Sequence, residues 1–280
     1  MTKKYKYTNF NEGDFSLFDS DTMPYETHQE MAHFALTDAL ILQAGETNTP
    51  SIHFWQTAPT AILGMMDTKI AHFNKGLEVL EEYNHQYMIR NSGGLGVVGD
   101  GGVLNVSLIY PSSDPRMPID TGYEFMLDFI RETFYSKFPK EIEAYEITNS
   151  YCFGEYDLSI DGKKIAGVSQ RRIQNGIAIM LYVSVNGDQQ KRAEMIREFY
   201  KVGLDGSEPL GRYPDVHPDV MTTLEEAYGV SLSVDEVKEM MLRHFQWTDG
   251  VYPNQLTTDF NQGLEKMYRR NTRVFGEDFV

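Results

Sequence analysis

One cysteine in 280 residues, Cys152, leaves no partner for an internal disulfide and no set of thiolates for a structural zinc site. Basic residues are scarce as well. Lys and Arg number 25 against 41 Asp and Glu, a formal net charge of −16. Such a field repels nucleic acid and anionic membrane, so neither is an expected partner. Any acidic protein partner would have to meet a local basic patch, for which Arg171 and Arg172 are candidates. No apolar run is long enough to cross a bilayer. The seven histidines are scattered, and His28 and His33 miss the four-residue spacing of a helical metal pair, so no metal is expected. Met1 to Tyr7 are polar and lysine-rich, with no signal-peptide core behind them. Together with the lone thiol, this points to the reducing cytoplasm.

What the chain does have is an ordinary apolar content, 41% of residues, enough for a packed core. Thr27-His-Gln-Glu30 has the form of a capping box, and Met31, Phe34, Ala35, Ala39 and Leu42 recur at helical spacing, which predicts a helix over about 27–43. Strands are expected over 51–56 and 60–64, joined by Thr57-Ala58-Pro59 as a tight antiparallel connection, with Trp55 in the core. A helix over 75–83 and strands over 86–90 and 103–110 follow, then a helix over 122–138 and a strand over 141–147. Ile177 to Val183 is almost wholly apolar and reads as a central strand. Helices are expected over 191–202, from the capping box Ser233-Val-Asp-Glu236 to about 245, and over 256–270, whose basic end suits a helix C-terminus. The fold class is α+β: a mixed, mostly antiparallel sheet flanked by helices.

Two stretches stand out. The first has six glycines between positions 93 and 102, lying between strands and lacking a Gly-Lys-Ser/Thr ending. That excludes a phosphate loop of the nucleotide-triphosphatase type and a dinucleotide fingerprint, which need a helix after the glycines. Two readings stand: backbone approaching an elongated ligand, or a series of bulges and turns. The second stretch runs from Ser150 to Arg172. Asp161-Gly162 between alternating runs is a strong hairpin signal, because a type I′ turn needs positive φ at both central residues. In that register Lys164 faces Ser159 and shares a sheet face with Asp157. Cys152 lies just upstream, either a buried small hydrophobe or a nucleophile beside a fixed cation. A fully extended chain would hold it roughly 23 Å from Ser159, so the second reading requires the Cys152 loop to fold back.

Taken together, three segments resemble the biotin/lipoate protein ligase and octanoyltransferase superfamily. Ile89-Arg-Asn-Ser-Gly-Gly-Leu-Gly-Val-Val-Gly-Asp100, Gly102-Val-Leu-Asn-Val-Ser107 and Lys164-Ile-Ala-Gly-Val-Ser-Gln170 are similar, in order, to that family's motifs, and Leu63-Gly64 sits where it has an early Leu-Gly. The resemblance implies a single catalytic domain over 1–280, with a core of about 27–245 and a helical extension over 246–280. Tyr156-Asp-Leu-Ser-Ile160 and Ser169-Gln-Arg-Arg172 are most similar to the octanoyl transferases of Gram-positive bacteria. For those the implied reaction moves an octanoyl, or lipoyl, group from the glycine-cleavage H protein to lipoyl domains of E2 subunits. Transfer from acyl carrier protein and ATP-dependent ligation remain as alternatives. Gly99, Ile89 and Leu95 depart from the ligase pattern, which suits a transferase with no cofactor.

The same resemblance implies that Cys152 is the nucleophile and carries the acyl group as a thioester. A Lys164 ammonium nearby would favour the thiolate, and the deprotonated lysine could take a proton from the incoming amine. Arg90, Ser92, Gly93, Gly94 and Gly167 are the implied substrate-binding positions, with backbone amides along an acyl slot. Amide-to-amide exchange is near thermoneutral, so no ATP is required.

Overall fold

A computed structural model describes residues 13–23, 30–112, 118–207, 211–277 and 279. The chain opens with strand β1 (Asp14–Asp19) and helix α1 (Met31–Thr47), then β2 (Ser51–Trp55), β3 (Thr60–Leu63), α2 (Phe73–Glu82) and β4 (Gln86–Ile89). The glycine run contains β5 (Val97–Gly99) and leads into β6 (Val103–Pro111) and α3 (Ile119–Tyr135). After β7 (Glu143–Ala144) come the paired strands β8 (Asp157–Ile160), β9 (Lys163–Ile173) and β10 (Gly176–Ser184), then α4 (Gln189–Leu204). The last elements are α5 (Leu224–Tyr228), α6 (Val234–Leu242), β11 (Gln246–Asp249) and α7 (Asn254–Phe275).

Eight strands form the main sheet in the order β11-β1-β2-β6-β10-β9-β8-β7. Only β11–β1 and β1–β2 pair in parallel; the other neighbours are antiparallel. This is the expected α+β arrangement. Strand β10 is central, between β6 and β9, as its apolar sequence requires. The capping box at Ser233 forms with both of its bonds. A second one, at Thr223, starts α5 in the same way.

Other expectations change. Strands β2 and β3 do not pair with each other. β2 lies in the main sheet, whereas β3 joins a three-stranded sheet between β4 and β5. The residues 57–59 therefore carry the chain from one sheet to another rather than around a hairpin. The strand expected over 141–147 shrinks to β7, because Ile147 leaves the ladder and gives its N–H to the Asp157 carboxylate. The last helix runs to Phe275, so Arg269 sits within it and pairs with Glu265. The tail is not wholly helical: β11 extends the main sheet beside β1, and α7 packs on α1. The Thr27 capping box lies outside the described residues.

Helix α1 is buried along most of its length, between the sheet and α7. Its first turn holds a polar cluster. Glu30 accepts the Ala58 N–H at 3.1 Å, and its other oxygen lies 3.7 Å from His33 Nε2, while His33 stacks on Trp55. Burial pushes the Glu30 carboxyl up from its ordinary 4.5 to about 7, against the pull of the Ala58 bond. Folding thus favours the protonated acid. That contribution is fully present below about 4.5 and is lost as pH rises through about 7. The variant Glu30→Gln does not titrate there. Urea unfolding should show it gaining about 2 to 3 kcal/mol on the parent between about pH 5 and about pH 8. A constant difference would mean that Glu30 titrates like an exposed carboxylate.

Candidate functional site

The hairpin forms as its sequence predicts. Asp161 and Gly162 have φ of 51° and 78°, and Lys164 faces Ser159. The ladder then shifts: Ala166 pairs with Leu158 and Gly167 with Asp157, so Ile165 is the extra residue of a bulge. Lys164 and Asp157 form an ion pair at 2.8 Å with both side chains only 3% exposed. Burial pushes the Asp157 carboxyl up, and the Lys164 charge and hydrogen bond pull it back.

This pair gathers the loop that carries Cys152. The second Asp157 oxygen accepts the Ile147 N–H at 3.2 Å and the Ser150 hydroxyl at 3.4 Å. The Lys164 ammonium donates to Ser150 Oγ at 3.2 Å, to the Tyr151 carbonyl at 3.0 Å and to the Cys152 carbonyl at 2.9 Å. The fold-back that the spacing demanded is therefore achieved by hanging successive groups of the loop on one buried cation. A strap from the segment between α4 and α5 holds it from outside: Asn149 donates to the Asp215 carbonyl, and its own carbonyl accepts the His217 N–H. Thr222 N donates to the Lys164 carbonyl. Beneath, Tyr151 shares a 2.5 Å hydrogen bond with Tyr182 and accepts from Gln189.

Held in this way, Cys152 adopts a left-handed φ of 46°. Its carbonyl turns to Lys164 and its thiol turns the other way, to the glycine run. The Cys152 sulfur accepts from Arg90 Nη2 at 3.3 Å and from the Leu95 N–H at 3.4 Å. Glycine is required in this approach. A Cβ on Gly64 would lie 2.0 Å from the Gly94 carbonyl oxygen. At Gly94, with φ of 93°, a Cβ would lie 2.5 Å from Arg90 Nη2 and 3.1 Å from the Cys152 sulfur. Asp67 fastens the same loop: it accepts the Gly64 N–H at 2.7 Å and the Tyr200 hydroxyl at 2.8 Å, and Gly96 N donates to Tyr200. Burial pushes Asp67 up to about 6, opposed by those bonds and by the Arg90 charge.

The seven residues singled out from the sequence, Cys152, Lys164, Arg90, Ser92, Gly93, Gly94 and Gly167, line one cavity of about 430 Å³. Much of the rest of its wall is apolar, with Phe34, Ile62, Val97, Val168 and Leu181 among the lining residues. Trp55, read as core, also reaches it. Asp157, the Leu95 amide and the Asp67–Tyr200 dyad were not singled out, and only Asp157 left a signal, as a same-face neighbour of Lys164. Arg171, read as a surface or docking residue, instead pairs with Asp38 and donates to the Asn91 carbonyl, bracing the chain beside Arg90. Asp100 accepts the Gly102 N–H and pairs with Arg192. An acyl chain could lie along such a wall with its carbonyl at the cysteine.

Residues 30–246 match the family described as lipoyl protein ligase A/B catalytic domain. The chain is 40% identical over 247 residues to an octanoyl-[GcvH]:protein N-octanoyltransferase of Oceanobacillus iheyensis, covering 86% of this chain and 88% of that protein. It is 36% identical to a lipoyl-[GcvH]:protein N-lipoyltransferase of Listeria monocytogenes, with 86% and 88% covered. Among solved structures, a lipoate-protein ligase A bound with ATP superimposes with a TM-score of 0.72 at 15% identity, covering 94% of this chain and 99% of that one. At that identity the likeness concerns the fold alone.

Removing the lysine tests the ion pair. Lys164→Met strands a buried carboxylate and should cost about 3 to 5 kcal/mol in urea unfolding. Lys164→Met with Asp157→Leu should recover most of that stability. The double variant should still have lost the placement of Cys152, seen as altered alkylation of the one thiol. A double variant no more stable than the single one would mean that the pair is not the source of the loss.

Proposed function

Since the chain belongs to the family of lipoyl protein ligase A/B catalytic domains, we infer that it is an acyltransferase of lipoate metabolism, moving an octanoyl or lipoyl group from the modified lysine of the glycine-cleavage H protein to the lipoyl-domain lysine of E2 subunits. The observation that carries this reading is the position of the lone cysteine, on the wall of a largely apolar cavity that also holds Lys164 and the glycine run. The names of relatives about 40% identical over most of their length support the donor and the acyl group.

In the first half-reaction the Cys152 thiolate attacks the amide carbonyl of the donor. A sulfur–carbon bond forms, the carbon–nitrogen bond breaks, and the donor lysine leaves as an amine with a proton from solvent. In the second half the acceptor amine attacks the thioester, a carbon–nitrogen bond forms, the sulfur–carbon bond breaks, and the amine proton returns to solvent. The sum exchanges one amide for another and needs neither ATP nor a cofactor. The thioester lies uphill of both amides, so little of it accumulates from an amide donor.

No described helix is long and apolar enough to cross a membrane. The test combines the purified chain, octanoyl-H protein and an unmodified E2 lipoyl domain without ATP, followed by intact mass. The octanoyl mass should move to the E2 domain, and Cys152→Ser should abolish the transfer. Loading of Cys152 from octanoyl-acyl carrier protein, with no transfer from the H protein, would overturn the assigned donor. Turnover by Cys152→Ser with added ATP would overturn the thioester route.

A further inference from the structure

The site contains two buried cations, and among the described residues only one is ion-paired with a carboxylate. Lys164 is paired with Asp157 at 2.8 Å, and its remaining bonds go to Ser150 and to two carbonyls, all at 3.2 Å or less. Nothing about that ammonium calls for a further anion. Its contact with Cys152 is with the backbone carbonyl.

Arg90 is different. It is 9% exposed, and among the described residues it forms no ion pair with a carboxylate. Its Nη2 donates to the Leu95 carbonyl at 2.7 Å and to the Cys152 sulfur at 3.3 Å, and its Nε is buried without a partner. Guanidinium stays charged at any pH the protein survives. A buried charge that no carboxylate bonds is poorly compensated. The Asp67 carboxylate feels the Arg90 charge, but its oxygens accept from the Gly64 N–H and the Tyr200 hydroxyl rather than from the guanidinium; the group the guanidinium touches that can carry a negative charge is the Cys152 sulfur. The Leu95 N–H aims at the same atom, and two donors converging on one sulfur suit a thiolate better than a thiol, which is a weak acceptor.

We propose that Arg90, with the Leu95 amide, is the cationic partner that holds Cys152 as a thiolate, and that Lys164 is a positioning residue that sets the Cys152 backbone. The proposal rests on the acyltransferase reading and assigns roles within the same site. Arg90 gives up no proton at any step. It stabilises the sulfur charge before attack and again when the acceptor amine expels the sulfur. The glycine facing Arg90 follows: a side chain at position 94 would push the guanidinium off the sulfur.

The lone cysteine makes the test direct, since every alkylation event is at Cys152. Iodoacetamide labelling is followed by intact mass as a function of pH, without any acyl donor, for the parent, Arg90→Gln, Arg90→Lys and Lys164→Gln. At neutral pH, Arg90→Gln should label about tenfold more slowly than the parent. The gap should close well above the ordinary thiol range of about 8.5, where any accessible thiol is ionised. Arg90→Lys, which keeps a charge, should fall between the two. Equal slowing at every pH would mean that Arg90 only governs access. An unchanged Arg90→Gln profile beside a slowed Lys164→Gln would return the thiolate to the lysine. Either result overturns the proposal. Should the Arg90 variants not fold, the parent itself decides, through the ultraviolet difference spectrum against Cys152→Ser. A thiolate band at neutral pH supports the assignment, and its appearance only above the ordinary thiol range overturns it. Because no acyl donor is present, failure here leaves the transfer reaction standing, and failure of transfer leaves this result interpretable.

Discussion

The buried ion pair between Lys164 and Asp157 is the constraint on which the site depends. Two opposite charges at 2.8 Å, both out of water, hold together only if their remaining valences are met. The loop from Ile147 to Cys152 meets them. It provides a backbone N–H and a hydroxyl for the carboxylate, and a hydroxyl and two carbonyls for the ammonium. Satisfaction of the charges and placement of the cysteine are thus the same set of bonds. The left-handed φ of Cys152, unfavourable for a residue with a side chain, persists because its neighbours are fixed on both sides.

From that anchor the thiol points across a narrow gap to the glycine run, and the geometry on the far side is fixed just as firmly. Asn271 of α7, fully buried, bonds both the N–H and the carbonyl of Ile89, so the C-terminal helix secures the residue next to Arg90. Asp67 and Tyr200 fasten Gly64 and Gly96, and Arg171 with Asp38 braces Asn91. Each of these partners comes from a different part of the chain. The cavity is therefore walled by elements from distant parts of the chain, which is how Arg90 and the Leu95 amide are both brought to one sulfur atom.

A transferase that exchanges one amide for another has no need to hold a nucleotide, and one departure of the glycine run from the ligase pattern has a packing reason. At Gly99, where the ligase pattern has histidine, a Cβ would meet Thr57 Oγ1 at 2.2 Å. Strand β5 there is buried throughout and pairs with β3, so the position serves packing. The fold shared with an ATP-bound lipoate-protein ligase A is compatible with a different residue at this position, since function resides in the side chains mounted on the sheet.

Local chemistry was legible in the sequence. The Asp161-Gly162 turn, the Ser233 capping box and the apolar strand at 177–183 each depend on neighbours a few residues apart, and each formed as read. The glycine run, Cys152 and Lys164 could be named for the same reason, because their residue types are rare or patterned. Sheet membership could not be read. β2 and β3 are adjacent in the chain yet join different sheets, and β1 and β11 are brought together across more than two hundred residues by pairing rather than by any local pattern. Nor could the division of labour between the cations. Composition and spacing determined that this chain is an acidic α+β protein with one thiol, one candidate lysine and a glycine-rich approach. Only the tertiary structure decided that the lysine faces the cysteine's carbonyl and the arginine its sulfur, because the direction of a side chain is set by contacts between residues up to 62 positions apart.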